Sequence, residues 1–151
     1  MKMNKSLKYL NISNNKIKDD GLIELSDFLK TNEHLIELSL GANIISNEGI
    51  SSFSTFLAHN KTLKLLDISR NLFNDMGFNE FAAEMGRNEG LEFLDIAKNK
   101  DVTDEDSLIT LANSLVTNKS LKTLDLSSLQ IRKPFLKQHF DRALKKNITL
   151  Q

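Results

Sequence analysis

The chain has 151 residues, of which 40% are hydrophobic and 26% are charged, a balance typical of one globular domain. It contains no cysteine, which excludes a disulfide framework and a thiolate metal site and favours a reducing compartment. No stretch approaches the ~20 apolar residues of a membrane span, and the formal net charge of zero argues against a chain built as a whole to bind nucleic acid. We therefore expect a soluble, cytoplasmic protein.

The chain is built from a repeated phrase of the form L-x-x-L-x-L. Its five copies read LKYLNI, LIELSL, LKLLDI, LEFLDI and LKTLDL, and their first leucines are spaced by 28, 28, 28 and 30 residues. Alternating apolar residues predict a short strand in each copy. We therefore expect one array over residues 1–151, with units at 7–34, 35–62, 63–90, 91–120 and 121–149.

An asparagine follows each of the first four phrases at the same distance. The four residues are Asn15, Asn43, Asn71 and Asn99, and the fifth unit has Leu129 at this position. Backbone amide and carbonyl groups turn inward where a strand ends, and a column of side-chain amides can satisfy them from one unit to the next. We expect this column to be structural.

The second half of each unit has the apolar pattern of a helix. In the first unit the pattern is Leu22, Leu25, Phe28 and Leu29, which lie on one helix face. We expect the preceding turns to carry Gly21, Gly49 and Gly77. Each helix is expected to end at an asparagine in the left-handed conformation; the five are Asn32, Asn60, Asn88, Asn118 and Asn147.

A strand and a helix of this length cannot bury their apolar faces alone, so the units must stack. The pattern L-x-x-L-x-L-x-x-N-x-I, followed by a helix at a 28-residue period, resembles leucine-rich repeats of the ribonuclease-inhibitor type. The resemblance implies an α/β solenoid in the form of a horseshoe arc, with parallel strands on the concave face and helices on the convex face. It also implies cytosolic residence and the binding of other proteins. The departures are Leu129, two extra residues in KNKDVTDED, and no turn glycine in units four and five.

Both ends of the chain continue the pattern of the interior. Asn4 occupies the position that elsewhere closes a preceding helix, and Leu150 falls where a sixth unit would open. Terminal units of such arrays normally differ from the interior ones. We expect a part of a longer array; the alternative is a small complete protein, with Pro134 well placed in the first turn of the last helix.

Strand side chains alternate, so the residues that flank the second leucine of each phrase are expected to point to the concave, solvent side. One column of such residues is Tyr9, Glu37, Leu65, Phe93 and Thr123, and the next is Asn11, Ser39, Asp67, Asp95 and Asp125. Exposed Tyr9, Leu65 and Phe93 would serve as apolar anchors for a partner. The stacked aspartates would repel each other and favour a basic partner, although aspartate is also common at this position in the repeats that the chain resembles.

The fifth helix is the most basic element. Residues 121–149 carry seven positive and two negative charges, whereas residues 91–120 carry three positive and six negative charges. Arg132, Lys133 and Lys137 are therefore a second, weaker set of candidates for contact with an acidic surface. The alternative is a solvated helix face.

No catalytic constellation is apparent. His34, His59 and His139 belong to different units, and neither a nucleophile motif nor a phosphate-binding glycine loop is present. The acidic stretch DVTDEDS lacks the glycine and glutamate spacing of a calcium loop, and Asp104, Glu105 and Asp106 are expected to open the fourth helix instead. We predict no enzyme activity, no metal, no cofactor and no small-molecule substrate.

The sequence thus predicts a non-catalytic protein–protein interaction module or scaffold that binds a partner on its concave sheet. Tropomodulin, which caps actin filaments, has a short array of similar repeats, so a cytoskeletal or ciliary assembly is the expected setting. The alternative is a regulator of a small GTPase, since the activator of Ran has the same repeat type; Arg70 is the lone candidate for that role.

Overall fold

Strands and helices alternate along the chain, one of each per unit. The computed structural model describes residues 4–129, 132–144 and 149–150. The strands are β1 (Tyr9–Asn11), β2 (Glu37–Ser39), β3 (Leu65–Asp67), β4 (Phe93–Asp95), β5 (Thr123–Asp125) and β6 (Thr149–Leu150). The helices are α1 (Asp19–Leu29), α2 (Asn47–His59), α3 (Asp75–Glu84), α4 (Glu105–Thr117) and α5 (Lys133–Leu144).

The six strands form one parallel sheet in chain order. Each strand pairs with the next so that equivalent residues of the repeat are neighbours; Leu38 pairs with Leu66, and Leu66 with Leu94. Adjacent helices pack side by side along the array. The predicted α/β leucine-rich-repeat solenoid is confirmed.

The sixth strand differs from the expectation for the end of the chain. Leu150 pairs with Leu124, which is the second leucine of its phrase. Leu150 therefore does not take the position of a leucine that opens a sixth unit. The spacing from the fifth to the sixth strand is shorter than the repeat, which the sequence pattern alone did not show.

The core lies between the sheet and the helices. The central strand leucines Leu38, Leu66, Leu94 and Leu124 are fully buried. Phenylalanines extend the core in the third unit, where Phe78 stacks on Phe73 and on Phe81 with ring centroids 6.4 Å apart in both pairs. The apolar face of each helix is thus covered by the leucines of its own and neighbouring units.

The first asparagine column links neighbouring units, as predicted. The Asn71 side chain donates to the carbonyl oxygens of Leu40 (3.2 Å) and Ile68 (3.0 Å), and its oxygen accepts from the backbone amide of Ile45 (3.2 Å). Asn99 repeats this one unit later, donating to Ile68 and accepting from the Asn71 amide at 2.7 Å. Each amide therefore satisfies buried backbone groups of two units.

The second asparagine column has a different role from the one predicted. Asn60 and Asn118, which follow α2 and α4, have extended backbones with φ of −78° and −61°, so the expected left-handed conformation is wrong. Their side chains act instead: the Asn118 oxygen accepts from the amides of Ser120 and Leu121, and its nitrogen donates to the carbonyl oxygens of Met85 (2.7 Å) and Asn88 (2.9 Å). Asn147 lies outside the described residues.

Asn4 shows the same local turn at the start of the array, because its side-chain oxygen accepts from the amides of Ser6 and Leu7 at 2.9 and 2.8 Å. The Asn32 side chain donates back to the Asn4 carbonyl oxygen at 3.4 Å. The recurring phrases NKSLK and NKTLK thus place an asparagine where its side chain turns the chain into a strand, as Asn4, Asn60 and Asn118 do. Asn118 also contacts the preceding unit.

Gly21, Gly49 and Gly77 lie inside the helices, so the prediction that they lie in the preceding turns is wrong. Gly49 and Gly77 occupy the first turn of α2 and α3. A Cβ atom on Gly77 would lie 2.8 Å from the Cα of Asn47 in the preceding unit, and one on Gly49 would lie 3.0 Å from the Cα of Asp19. Glycine is needed there because the helix starts of adjacent units approach closely.

A further column has positive φ angles in every unit. Its residues, which directly precede the first asparagine column, are Asn14, Ala42, Arg70, Lys98 and Ser128, with φ between 53° and 62°. This left-handed conformation is costly for residues other than glycine and asparagine. The repeat therefore places strain at the end of each strand, and the sequence pattern did not reveal it.

No helix in the described part of the chain combines the length and apolar character that crossing a membrane requires.

Candidate functional site

The concave face of the sheet presents two columns of side chains from β1 to β5, as the alternation of strand residues predicts. In β2 to β5 the middle residue is buried and its two neighbours are partly exposed. The strand register stacks Leu65 on Phe93 and Asp67 on Asp95. We use the term concave surface for these two columns, from Tyr9 to Thr123 and from Asn11 to Asp125.

The apolar members of the concave surface differ in exposure. Tyr9 is 61% exposed at one end of the sheet. Leu65 and Phe93, which were predicted to be exposed, are half-buried. The two form a continuous apolar strip between Glu37 and Thr123. Their role in partner binding stays a prediction.

The aspartates of the second column have a structural role at the ends of their strands. Asp67, Asp95 and Asp125 each accept a hydrogen bond from the backbone amide two residues later, at 2.9, 2.8 and 2.7 Å. Asn11 makes the same contact with Ser13 at 3.0 Å. This local turn explains why aspartate or asparagine suits the position without any ligand.

The carboxylates of this column also influence one another. Burial raises the pKa of the Asp95 carboxyl above its ordinary value; the hydrogen bond from Ala97 opposes this shift, and the charges of Asp67 and Asp125 add to it. One oxygen of Asp67 lies 2.6 Å from where a Cβ on Gly41 would stand, so this carboxylate rests on the glycine of the preceding unit. The column is therefore an acidic stripe held by backbone contacts.

A third column borders the apolar strip and was missed by the sequence reasoning. Glu92 lies between two lysines of the adjacent units, 3.9 Å from Lys64 and 2.5 Å from Lys122. The hydrogen bond from Lys122 lowers the pKa of the Glu92 carboxyl, and the charges of both lysines act in the same direction. The only signal in the sequence was the position directly after each opening leucine, where opposite charges alternate across three units.

The basic set of the last unit is only partly described. Arg132 pairs with Glu105 of the preceding unit at 2.5 Å, although its side chain is 78% exposed. Glu105 is the first residue of α4, and Arg132 lies just before α5. In the same way Asp75, the first residue of α3, accepts hydrogen bonds from the amides of Thr103 and Asp104 just before α4. The side chains of Lys133 and Lys137 lie outside the described residues, and their predicted contact with a partner stays a prediction.

Two other predictions concern Asp104, at the start of α4, and Arg70. Asp104 precedes α4 and its side chain accepts from the amide of Asp106 at 3.1 Å, so the acidic stretch opens this helix as predicted. Arg70, the candidate for regulation of a GTPase, lies at the carboxyl edge of the sheet, exposed and with a φ of 53°. That role stays a prediction.

Comparison with known proteins gives the following matches. The family model described as Leucine Rich repeat matches residues 4–26 and 31–54. No curated protein matches the sequence. A solved structure described as the tropomodulin C-terminal domain of Caenorhabditis elegans is similar with a TM-score of 0.80, 15% identity, and coverage of 96% of this chain and 86% of that chain. One described as leiomodin-1 actin-binding site 2 is similar with a TM-score of 0.74, 17% identity, and coverage of 95% and 84%.

The two structural matches extend over nearly the whole array and support the fold. The family model supports the repeat assignment in the first two units. The ribonuclease-inhibitor subtype agrees with the unit length of 28 residues but stays a prediction. The registered phrases, the asparagine columns and these matches together show that the chain has a leucine-rich-repeat fold.

Proposed function

We propose that the chain is a non-catalytic protein-binding module whose main contact surface is the concave surface. The observation that carries the proposal is the apolar strip of Leu65 and Phe93, which is half-buried and so still partly open to solvent on the side of the sheet opposite the helices. Large apolar side chains bordered by charged groups are the arrangement that partner surfaces use, with a central anchor and a polar rim.

The geometry of the sheet supports such a role. Members of both asparagine columns tie neighbouring units together through buried hydrogen bonds, as Asn71 and Asn118 do. A surface held in this way loses little conformational entropy when a partner binds, so more of the contact energy appears as affinity. The charged rim formed by Lys64, Glu92 and Lys122 would favour some partners over others by electrostatic complementarity.

We further propose that the module works inside the cell as part of a larger cytoskeletal or ciliary assembly. Similarity to a structure described as an actin-binding site supports this setting and makes filamentous actin the first partner to test. The similarity is at 17% identity, so the contact residues have to come from this chain's own surface.

The test combines affinity capture from the native source with co-sedimentation on actin filaments. The wild-type protein is compared with a Leu65→Glu, Phe93→Glu double variant and with a control of equal charge change on the helical side, Thr55→Glu with Met76→Glu, both exposed residues. We expect the concave variant to lose a defined partner set that the wild type and the control retain. Each variant is first checked for an unchanged far-UV circular dichroism spectrum.

Equal recovery of the partners by both variants would show that the concave surface is not the contact surface. If the concave variant loses other partners, and the wild-type protein does not sediment with actin filaments, the chain is a protein-binding module whose partner is not actin. A milder Leu65→Ala, Phe93→Ala variant covers the case in which two glutamates unfold the protein, since it introduces no charge into the half-buried strip.

A further inference from the structure

A groove of about 580 Å³ lies at the carboxyl edge of the sheet, where the loops of units three, four and five meet. Its walls include Arg70, Leu72, Lys98, Lys100, Asp101 and Ser128. We call this the edge groove. It lies beyond the ends of the strands and shares no residue with the concave surface.

The repeat places the basic residues of the edge groove side by side. Arg70 and Lys98 occupy the same position in units three and four, and the Arg70 amide donates to the Ala97 carbonyl oxygen at 3.0 Å. Leu72 and Lys100 are likewise equivalent, two residues further along each loop. The insertion in unit four adds Asp101 between Lys100 and the buried Val102. The groove therefore comes from residues that are 28 apart in the chain.

The cations of the edge groove form no close ion pair among the described residues, although the charge of Lys98 acts on the Asp95 carboxyl and opposes the rise of its pKa. None of the six ion pairs among the described residues includes Arg70, Lys98 or Lys100. The side chains of these three residues also donate no hydrogen bond to another described residue. By contrast, Lys64 and Lys122 at the opposite edge of the sheet share Glu92. With Asp101 as the single acid of its lining, the groove has an excess of two positive charges.

An apolar residue accompanies these charges. Leu72 is 55% exposed, and it is one of four large apolar residues in the described part of the chain that are exposed to solvent. Its equivalent in the preceding unit, Ile44, is only partly exposed. An exposed leucine among three cations offers a contact for an apolar side chain that is flanked by carboxylates.

We infer that the edge groove binds an acidic, extended segment of a protein partner, with an apolar side chain on Leu72 and carboxylates on Arg70, Lys98 and Lys100. Charge complementarity selects the acidic partner. A nucleic-acid strand fits less well because the residues that line the groove include no aromatic side chain for base stacking. The site stands independently of the function proposed for the concave surface.

The test uses a fluorescein-labelled peptide, Gly-Asp-Glu-Leu-Asp-Glu-Gly, and fluorescence anisotropy on the whole chain. The groove variant is Arg70→Asn with Lys98→Asn, since asparagine tolerates the positive φ of both positions. The control is Lys16→Asn with Lys18→Asn, which removes the same charge from exposed residues of unit one. We expect the groove variant to bind the peptide roughly five- to tenfold more weakly, and the control to bind within about twofold of wild type.

Two further measurements give the proposal its specificity. Leu72→Ser, or a peptide with serine in place of its leucine, should weaken binding roughly threefold. On the wild-type protein, the peptide should shift the backbone amide signals of Leu72 and of residues 97–101 in a ¹⁵N-labelled sample. This second readout does not depend on whether any variant folds.

Several results would overturn the proposal. The first is a peptide that leaves the amide signals of the edge groove unchanged. The second is an equal loss of affinity in the groove and control variants, which would indicate general charge attraction. The third is tighter binding of a short oligodeoxythymidine than of the peptide at the same amides, which would assign the groove to nucleic acid. A Leu65→Ala, Phe93→Ala variant should bind the peptide like wild type, which separates this site from the concave surface.

Discussion

Replacing Asn71 by alanine tests the role of the first asparagine column. Asn71 is 5% exposed, and its side chain contacts the carbonyl oxygens of Leu40 and Ile68 and the amide of Ile45. Both carbonyl oxygens also accept from a neighbouring asparagine, Asn43 or Asn99, and so keep one partner in the variant. The Ile45 amide is buried and would lose its side-chain acceptor.

The magnitude follows from these contacts. A buried donor left without an acceptor costs about 1 to 3 kcal/mol, and each shared carbonyl contact contributes roughly 0.5 to 1 kcal/mol more. We therefore expect Asn71→Ala to lower the free energy of unfolding by about 3 kcal/mol, which corresponds to a melting temperature lower by roughly 6 to 12 °C in a protein of this size. Such a loss is large against the usual total of about 5 to 15 kcal/mol.

Asn15 provides the matched control, since it is exposed and its side chain bonds only to the carbonyl oxygens of Ile12 and Ser13 within its own unit. We expect Asn15→Ala to cost less than about 1 kcal/mol. Urea unfolding followed by far-UV circular dichroism measures both variants. If the two losses were within about 0.5 kcal/mol of each other, the contacts between units would not be the source of the stability of this column.

Three other changes test the backbone and the acidic stripe. Ala42→Gly should raise the free energy of unfolding by roughly 0.5 to 1 kcal/mol, because Ala42 has a φ of 54°, and an unchanged or lower urea midpoint would contradict this. Gly77→Ala should cost about 1 to 3 kcal/mol because its Cβ would lie 2.8 Å from the backbone of Asn47. Gly21→Ala should cost much less, because its Cβ would meet only the Cγ2 methyl group of Ile17 at 3.2 Å and alanine favours the helix. Equal effects of the two substitutions in thermal melts would refute this explanation. The raised pKa of Asp95 means that the folded state binds its proton more tightly than the unfolded state, so stability from this group is present at low pH and is lost as the pH rises through the raised pKa. Asp95→Asn should therefore be more stable than wild type at neutral pH, with a difference that vanishes below the ordinary aspartate pKa, and a constant difference across that range would contradict the sign.

The sequence by itself determined the architecture of this protein. The period of the leucines predicted the strands and the stacking of equivalent residues, as in the pairing of Leu38 with Leu66, because units this short can bury their apolar faces only against copies of themselves. It also predicted that Asn71 and its equivalents satisfy backbone groups between units. The solvent side of the strands followed from their alternation, so the concave surface could be identified, although not the half-burial of Phe93.

The tertiary structure alone decided which residues meet across the units. The need for Gly77 comes from the backbone of Asn47 in the preceding helix, and the Asn60 side chain turns the chain without a left-handed backbone. The edge groove exists because the loops that carry Arg70 and Lys98 lie side by side. A repeat pattern states which residue type stands at each position, whereas these contacts depend on distances and backbone angles between residues about one full unit apart, and only the packed units determine those.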